Sequence, residues 1–139
     1  MDDTQTPAAD ELSVATCWQL LRQATVGRLA VVVDGRPDIF PISFVANHGS
    51  IVFRTAAGTK LTGSAGRPVA FEIDGPGATE PWSVVVKGTA HEVRETAEAI
   101  EVLSLPLVPS HGGPKPRLMR IEPSSVTGRR LHAAAGSPA

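Results

Sequence analysis

Eight consecutive residues, Phe53-Arg54-Thr55-Ala56-Ala57-Gly58-Thr59-Lys60, concentrate the groups that a phosphate requires. Arg54 offers a planar fork of donors, Thr55 and Thr59 offer hydroxyls, Lys60 adds a second positive charge, and Gly58 supplies a bend. The apolar run before them, Ile51-Val52-Phe53, reads as a strand, and Gly58 to Gly66 has room for about two helical turns. The segment therefore runs off a strand into a helix start, where unpaired N–H groups and the helix dipole favour an anion. Taken singly, each of these residues reads as a basic surface turn with a threonine cap. Their combination in one decapeptide, Ile51 to Lys60, points to an anion grip.

Other chemistries find no support. The four histidines, His48, His91, His111 and His132, fall in turns or at strand ends with no metal-ligand spacing, and Cys17 is the single cysteine. No metal site is expected, and no internal disulfide can form. No serine sits in a Gly-x-Ser-x-Gly context, and Glu72 and Asp74 alternate onto the outward face of one strand. Asp38 and Glu72 are the carboxylates available as general acids, yet no catalytic residue is assigned.

The elements that must position the grip follow from periodicity. Ser13 can cap a helix through about Gln23, with Cys17, Leu20, Leu21 and Ala24 on one face. Strands are expected over Val26–Val33, Asp38–Ala46 and Ile51–Thr55, with turns at Asp34-Gly35-Arg36-Pro37 and Asn47-His48-Gly49-Ser50. Pro68–Asp74 and Trp82–Val93 alternate as a fourth and a fifth strand, followed by a helix over Glu95–Leu103 and a Pro- and Gly-rich loop over Pro106–Pro116. Arg117–Glu122 and Val126–His132 read as two short strands broken by Pro123. Such a series is mainly β with small helices, and closure into a β-barrel would remove its exposed edges. Leu29 to Val33 is apolar at every position, which calls for burial on both faces: one toward the barrel interior, the other against a helix or a second subunit.

With 139 residues and 42% hydrophobic content, one domain is expected over residues 13–132, between tails at 1–12 and 133–139 read as disordered. The net charge of −1 gives no long-range attraction to nucleic acid or to an anionic membrane. With no tyrosine and few other aromatics, a nucleic-acid barrel ranks last among the functions considered. The acidic, polar start is unlike a secretory signal and no apolar run is long enough to span a bilayer as a helix, so a cytoplasmic protein is expected.

Four pieces in order, Val26-Gly27-Arg28-Leu29-Ala30, Pro37-Asp38-Ile39-Phe40-Pro41-Ile42, the phosphate segment, and Trp82-Ser83-Val84-Val85-Val86-Lys87-Gly88, resemble the pyridoxamine 5'-phosphate oxidase-like family of FMN-binding split barrels. The likeness is greatest to the small bacterial branch that includes nitroimidazole-reductase-like proteins. It implies a six-stranded antiparallel split barrel, a homodimer with flavin at its interface, and an FMN-dependent oxidoreductase acting on a small organic acceptor. A flavin needs no protein nucleophile. Cofactor-binding residues would then be Arg54, Thr55, Thr59 and Lys60 at the phosphate, Pro41, Ile42 and Ser43 beside the ring, and Trp82 and Ser83 near it. Arg129 and Arg130 stand where the family sometimes sends a basic group. The deazaflavin coenzyme F-420 would need further basic residues beyond the phosphate helix, and Arg67 alone lies near. The alternative function is a non-catalytic module that stores or senses flavin, deazaflavin or haem.

Overall fold

The computed structural model describes residues 10–56, 58–76, 80–94 and 116–131. Its elements are α1 (Val14–Gln23), β1 (Val26–Val33), β2 (Arg36–Ser43), β3 (Val45–Asn47), β4 (Ser50–Ala56), α2 (Lys60–Gly63), β5 (Pro68–Gly75), β6 (Trp82–Glu92) and β7 (Pro116–Arg130). The expected helix over Glu95–Leu103 and the loop after it lie outside the described residues.

The two first hairpins close through two-residue turns in which both positions have positive φ, Asp34 (55°) with Gly35 (73°) and His48 (50°) with Gly49 (73°). That backbone matches the right-handed twist of the flanking strands. The first turn is tighter than the sequence suggested, and β2 starts at Arg36. The seven strands form one antiparallel sheet in the order β2-β1-β5-β6-β7-β4-β3. Its two end strands, β2 and β3, are joined by Phe44 alone, whose N–H donates to the Thr25 carbonyl at 3.0 Å. Strands at opposite ends of a sheet can be consecutive in the chain only if the sheet curls round, so the fold is a split barrel.

The interior is set by strand alternation. Leu29 and Val31, Phe71 and Ile73, Val84 and Val86 point inward and are buried. Phe71 packs edge-to-face against Phe44, with centroids 4.7 Å apart at 69°. α1 lies against β3, β6 and β7 and contributes buried Cys17 and Leu21, with Leu20 and Ala24 half-buried as its periodicity demanded. Burial pushes the Cys17 thiol pKa up. Ser13 caps the helix by accepting from Thr16 N–H at 3.1 Å. The N-terminal tail read as ending at Leu12 gives way earlier: Glu11 bridges Arg129, and Leu12 N–H donates to the Gly128 carbonyl at 2.9 Å.

Two readings change. Among the described residues there are seven strands against the six implied by the resemblance, because Phe44 divides the second strand into β2 and β3. Pro123 does not break the last strand, since β7 runs through it with a register shift opposite Lys87 and Gly88. Ser124 is the extra residue, its hydroxyl donating to the Lys87 carbonyl at 3.1 Å. A bulge tolerates a residue with no N–H, and Gly88 leaves room for Pro123 Cα, which a Cβ there would meet at 2.9 Å. On β1 the inner face, Leu29 and Val31, is buried as expected, and on the outer face Val32 is 51% exposed in the single chain. Among the described residues no helix covers that face.

Gly27 must be glycine. A Cβ there would meet the Phe71 ring and come within 2.9 Å of the Glu72 carbonyl, which the β5–β6 ladder holds fixed. Gly27→Ala is expected to destabilise the protein by about 1–3 kcal/mol through overpacking, measured by urea unfolding, whereas Gly63→Ala, whose Cβ would meet Val33 at an ordinary 3.8 Å, should change stability far less.

Candidate functional site

The end of β4, the start of α2 and the first half of β2 converge at one end of the barrel. Thr55 Oγ1 is buried and lies 3.1 Å from Thr59 Oγ1. Thr59 caps α2 by accepting from Thr62 N–H at 3.3 Å, and its hydroxyl lies 3.0 Å from the Ala56 carbonyl. Thr62 Oγ1 donates back to the Thr59 carbonyl at 2.8 Å. α2 is a single turn, so its start contributes little dipole, and the Thr59 hydroxyl already serves one of its first N–H groups. An anion here would therefore have to be held by side chains.

Lys60 supplies the charge. Its Nζ donates to Asp38 Oδ2 at 2.7 Å, while Asp38 Oδ1 accepts from Ile39 N–H at 3.1 Å. The Lys60 ammonium, helped by that N–H, holds the Asp38 carboxyl below its usual pKa against a desolvation effect of opposite sign. Both side chains reach water, at 61% and 38% exposure. Sequence reasoning placed Asp38 among possible general acids; its role as the partner of Lys60 carries no sequence signal, because the two lie 22 positions apart on different elements.

Arg54 is half-buried, and strand alternation turns it to the face of β4 opposite Thr55. That face is shared with Val52, and its neighbours on β7 are Leu118 and Arg120. There Arg120, only 6% exposed, donates through Nη1 to Ser50 Oγ and to the Asn47 carbonyl at 3.4 Å. The sequence reading passed over this buried arginine; the available signal was one cation inside the apolar run Leu118-Met119-Arg120-Ile121.

On β2 the alternation left open by sequence is resolved. Ile42 and Phe44 are buried in the core and Phe40 packs against it, whereas Pro41 is exposed and Ser43 half-buried on the outer face. Ile42 can thus meet a ligand only through its backbone. Pro41 stands three residues from Asp38, about 10 Å along the strand. Trp82 and Ser83 open β6 at the far end of the barrel, paired with Arg130 and Arg129. Trp82 is half-buried against the core with its indole across Gly75, where a Cβ would lie 2.8 Å from Cε2. Ser83 lies on the opposite, outer face. From the level of Asp38 these two are roughly 15–20 Å down the sheet. The structure thus gathers Thr55, Thr59, Lys60 and Asp38, places Pro41 and Ser43 farther along β2 on the face opposite Asp38, and separates Trp82 and Ser83. Among the described residues no group of three or more His, Cys, Asp or Glu side chains converges as a metal site would require. No helix among them is long and apolar enough to cross a membrane.

A curled antiparallel sheet whose end strands are joined by a single residue is a split barrel, here with a basic, hydroxyl-rich turn at one end. The sequence pattern of the family described as pyridoxamine 5'-phosphate oxidase matches residues 13–130, and the chain belongs to that family. An FAD-binding protein from Mycobacterium smegmatis is 39% identical, with a TM-score of 0.79 over 88% of this chain and 98% of that one. An uncharacterised protein from Mycobacterium tuberculosis is 36% identical over 83 residues, 59% of this chain and 76% of its own length. A candidate 5-nitroimidazole antibiotic resistance protein from Bacteroides thetaiotaomicron has the same fold at 10% identity, with a TM-score of 0.69 over 86% of each chain.

The Lys60–Asp38 contact makes a checkable statement about charge. A carboxyl whose folded pKa is depressed contributes stability that is present above its unfolded value and is lost as pH falls through the folded one. Carboxyl ¹³C NMR should find Asp38 titrating below an ordinary aspartate, and in Lys60→Ala its midpoint should return upward toward the ordinary value of 3.8.

Proposed function

We propose that this protein is a flavin-dependent oxidoreductase that holds FMN by its phosphate at Lys60, Thr59 and Thr55, with Arg54 on the other face of β4 left out of the grip, and acts on a small organic acceptor. The observation that carries the reading is the likeness, over 88% of this chain, to a flavin-binding relative at 39% identity. The Lys60 ammonium has three donors, one of them used by Asp38, whereas the single proton of the Thr59 hydroxyl goes to the Ala56 carbonyl and that of Thr55 to Thr59, so a phosphate would draw on the lysine first and on the hydroxyls only by redirecting them. When bound, a flavin ring supplies the hydride acceptor and donor chemistry itself.

The chain's contribution is to bind and orient. Pro37 and Pro41 pair with Val32 and Arg28 on β1. Proline persists in a sheet where its missing N–H would face away from the ladder, so alternate residues from Pro37 to Ser43 turn their carbonyls to the open edge of β2. Asp38 satisfies the Ile39 N–H on that edge. The resulting edge is rich in acceptors and suits a ring that presents an imide N–H. Pro41, Ile42 and Ser43 would meet the ring through this backbone. Trp82 and Ser83 would reach an FMN held at Lys60 only from a partner subunit.

A homodimer belongs to the same reading. Exposed Val32, Ile39 and Pro37, with half-buried Ala30 and Ala70, make an apolar stretch on the outer face of β1, β2 and β5, beside a hollow of about 390 Å³. A second copy seated there would bury it. A second reading, FAD in place of FMN, is favoured by the cofactor of the Mycobacterium smegmatis relative and would span more of the distance from Lys60 to Trp82 within one chain.

Purified protein mixed with FMN or FAD should show a shifted flavin absorption band, and reduced nicotinamide with a small acceptor should then be turned over. Lys60→Ala is expected to weaken FMN binding about tenfold or more, the effect of losing a charge-assisted hydrogen bond. Tight flavin binding with no turnover across donors and acceptors would leave a binding module in place of an enzyme. By light scattering the protein should be dimeric at micromolar concentration and Val32→Asp should shift it to monomer; a monomeric wild type would remove the dimer from the proposal.

A further inference from the structure

Lys60 already holds an anion of the protein's own. Asp38 Oδ2 sits 2.7 Å from Nζ, and the same carboxylate is fixed from its other oxygen by Ile39 N–H at 3.1 Å. The pair is neutral and stands at the mouth of the barrel, reached by solvent from both partners. A phosphate bound to Lys60 alongside that carboxylate would bring two anions within about 5 Å of each other with one ammonium between them, an arrangement that repels. Arg54 does not offset this directly, because it faces the other side of β4.

We infer that Asp38 is a specificity residue that competes with the ligand's phosphate for Lys60, so that an anion binds only by displacing the carboxylate. The inference rests on the flavin phosphate reading above and adds to it the residue that sets the threshold for binding. A small inorganic anion gains the ammonium and loses the existing pair, for little net benefit. A ligand that also brings a flat ring to the edge of β2 gains the ring contacts as well, and it alone comes out ahead. The long, exposed lysine stem can swing from one partner to the other at low cost, and the Ile39 N–H keeps the carboxylate close, ready to take the ammonium back when the ligand leaves.

The test is a set of spectroscopic titrations of the full chain and of Asp38→Asn with FMN and with riboflavin, which lacks the phosphate. Asparagine keeps an oxygen for Ile39 N–H and deletes the charge. Asp38→Asn should tighten FMN binding about two- to fivefold, the range expected for an exposed ion pair, leave riboflavin affinity unchanged, and make inorganic phosphate a better competitor of FMN. The gain should shrink as salt is raised, since exposed charges are screened. Unchanged or weaker FMN binding, with riboflavin unaffected, would overturn the role of Asp38 and leave the flavin reading standing. Binding of neither flavin to either protein would overturn both. Asp38→Ala, checked by its melting temperature against wild type, guards against an effect peculiar to the amide and should shift FMN affinity in the same direction.

Discussion

The ring of Phe71 occupies the space that a side chain on Gly27 would need, and the curl of the sheet depends on that exchange. A flat sheet of seven strands would leave β2 and β3 far apart, yet they are consecutive and separated by one residue. Closure therefore requires bulky side chains on the inner face to meet places with none. Gly27 under Phe71 and Gly75 under Trp82 are such places, while Gly128 makes room for Cys17 and Leu12 at the helix and Gly88 for the backbone of Glu122 and Pro123 at the bulge. Glycine in a strand weakens it locally, and here the loss is offset by the large rings and aliphatic chains that the vacated volume admits.

Closure also explains where the candidate site lies. Once β2 has been carried round the barrel, its first half stands beside the end of β4 and the turn of α2, so Asp38 meets Lys60 although neither belongs to a common strand pair. Among the described residues no strand pairs with the outer edge of β2, and prolines 37 and 41 have no N–H to offer one. A free edge is ordinarily a hazard for aggregation; one stripped of two donors is less able to recruit a strand and better able to accept from a ligand.

Much of this was legible in the residues. The helix from Ser13, the Asp-Gly and His-Gly turns, the alternation of β5 and β6 and the Thr59 cap each follow from local rules that the structure obeys. What escaped is non-local. Pro123 read as a strand break because the rule against proline considers one strand, whereas Gly88 on the neighbouring strand is what makes room for the bulge. The orientation of Ile42 against Pro41 could not be fixed, since period two gives two faces without saying which is inside. Arg54 and Thr55 looked like one grip because they are adjacent, and adjacency in a strand puts side chains on opposite faces. The buried Arg120 beside Ser50 depends on a contact across 70 positions.

Local charge, more than net charge, governs what this barrel can attract. At physiological salt, fields from exposed charges fade within about 8 Å, so the overall value of −1 neither draws nor repels a ligand approaching Lys60. Within that radius Asp38 cancels Lys60, and attraction by charge alone is weak. Under the proposed function, recognition would come from groups acting together: the Lys60 ammonium, the hydroxyls at Thr55 and Thr59 held by each other, and the carbonyls along the outer edge of β2. On the proposed reading, such a site would favour molecules that carry both an anion and a flat donor-bearing ring over molecules that carry one of the two.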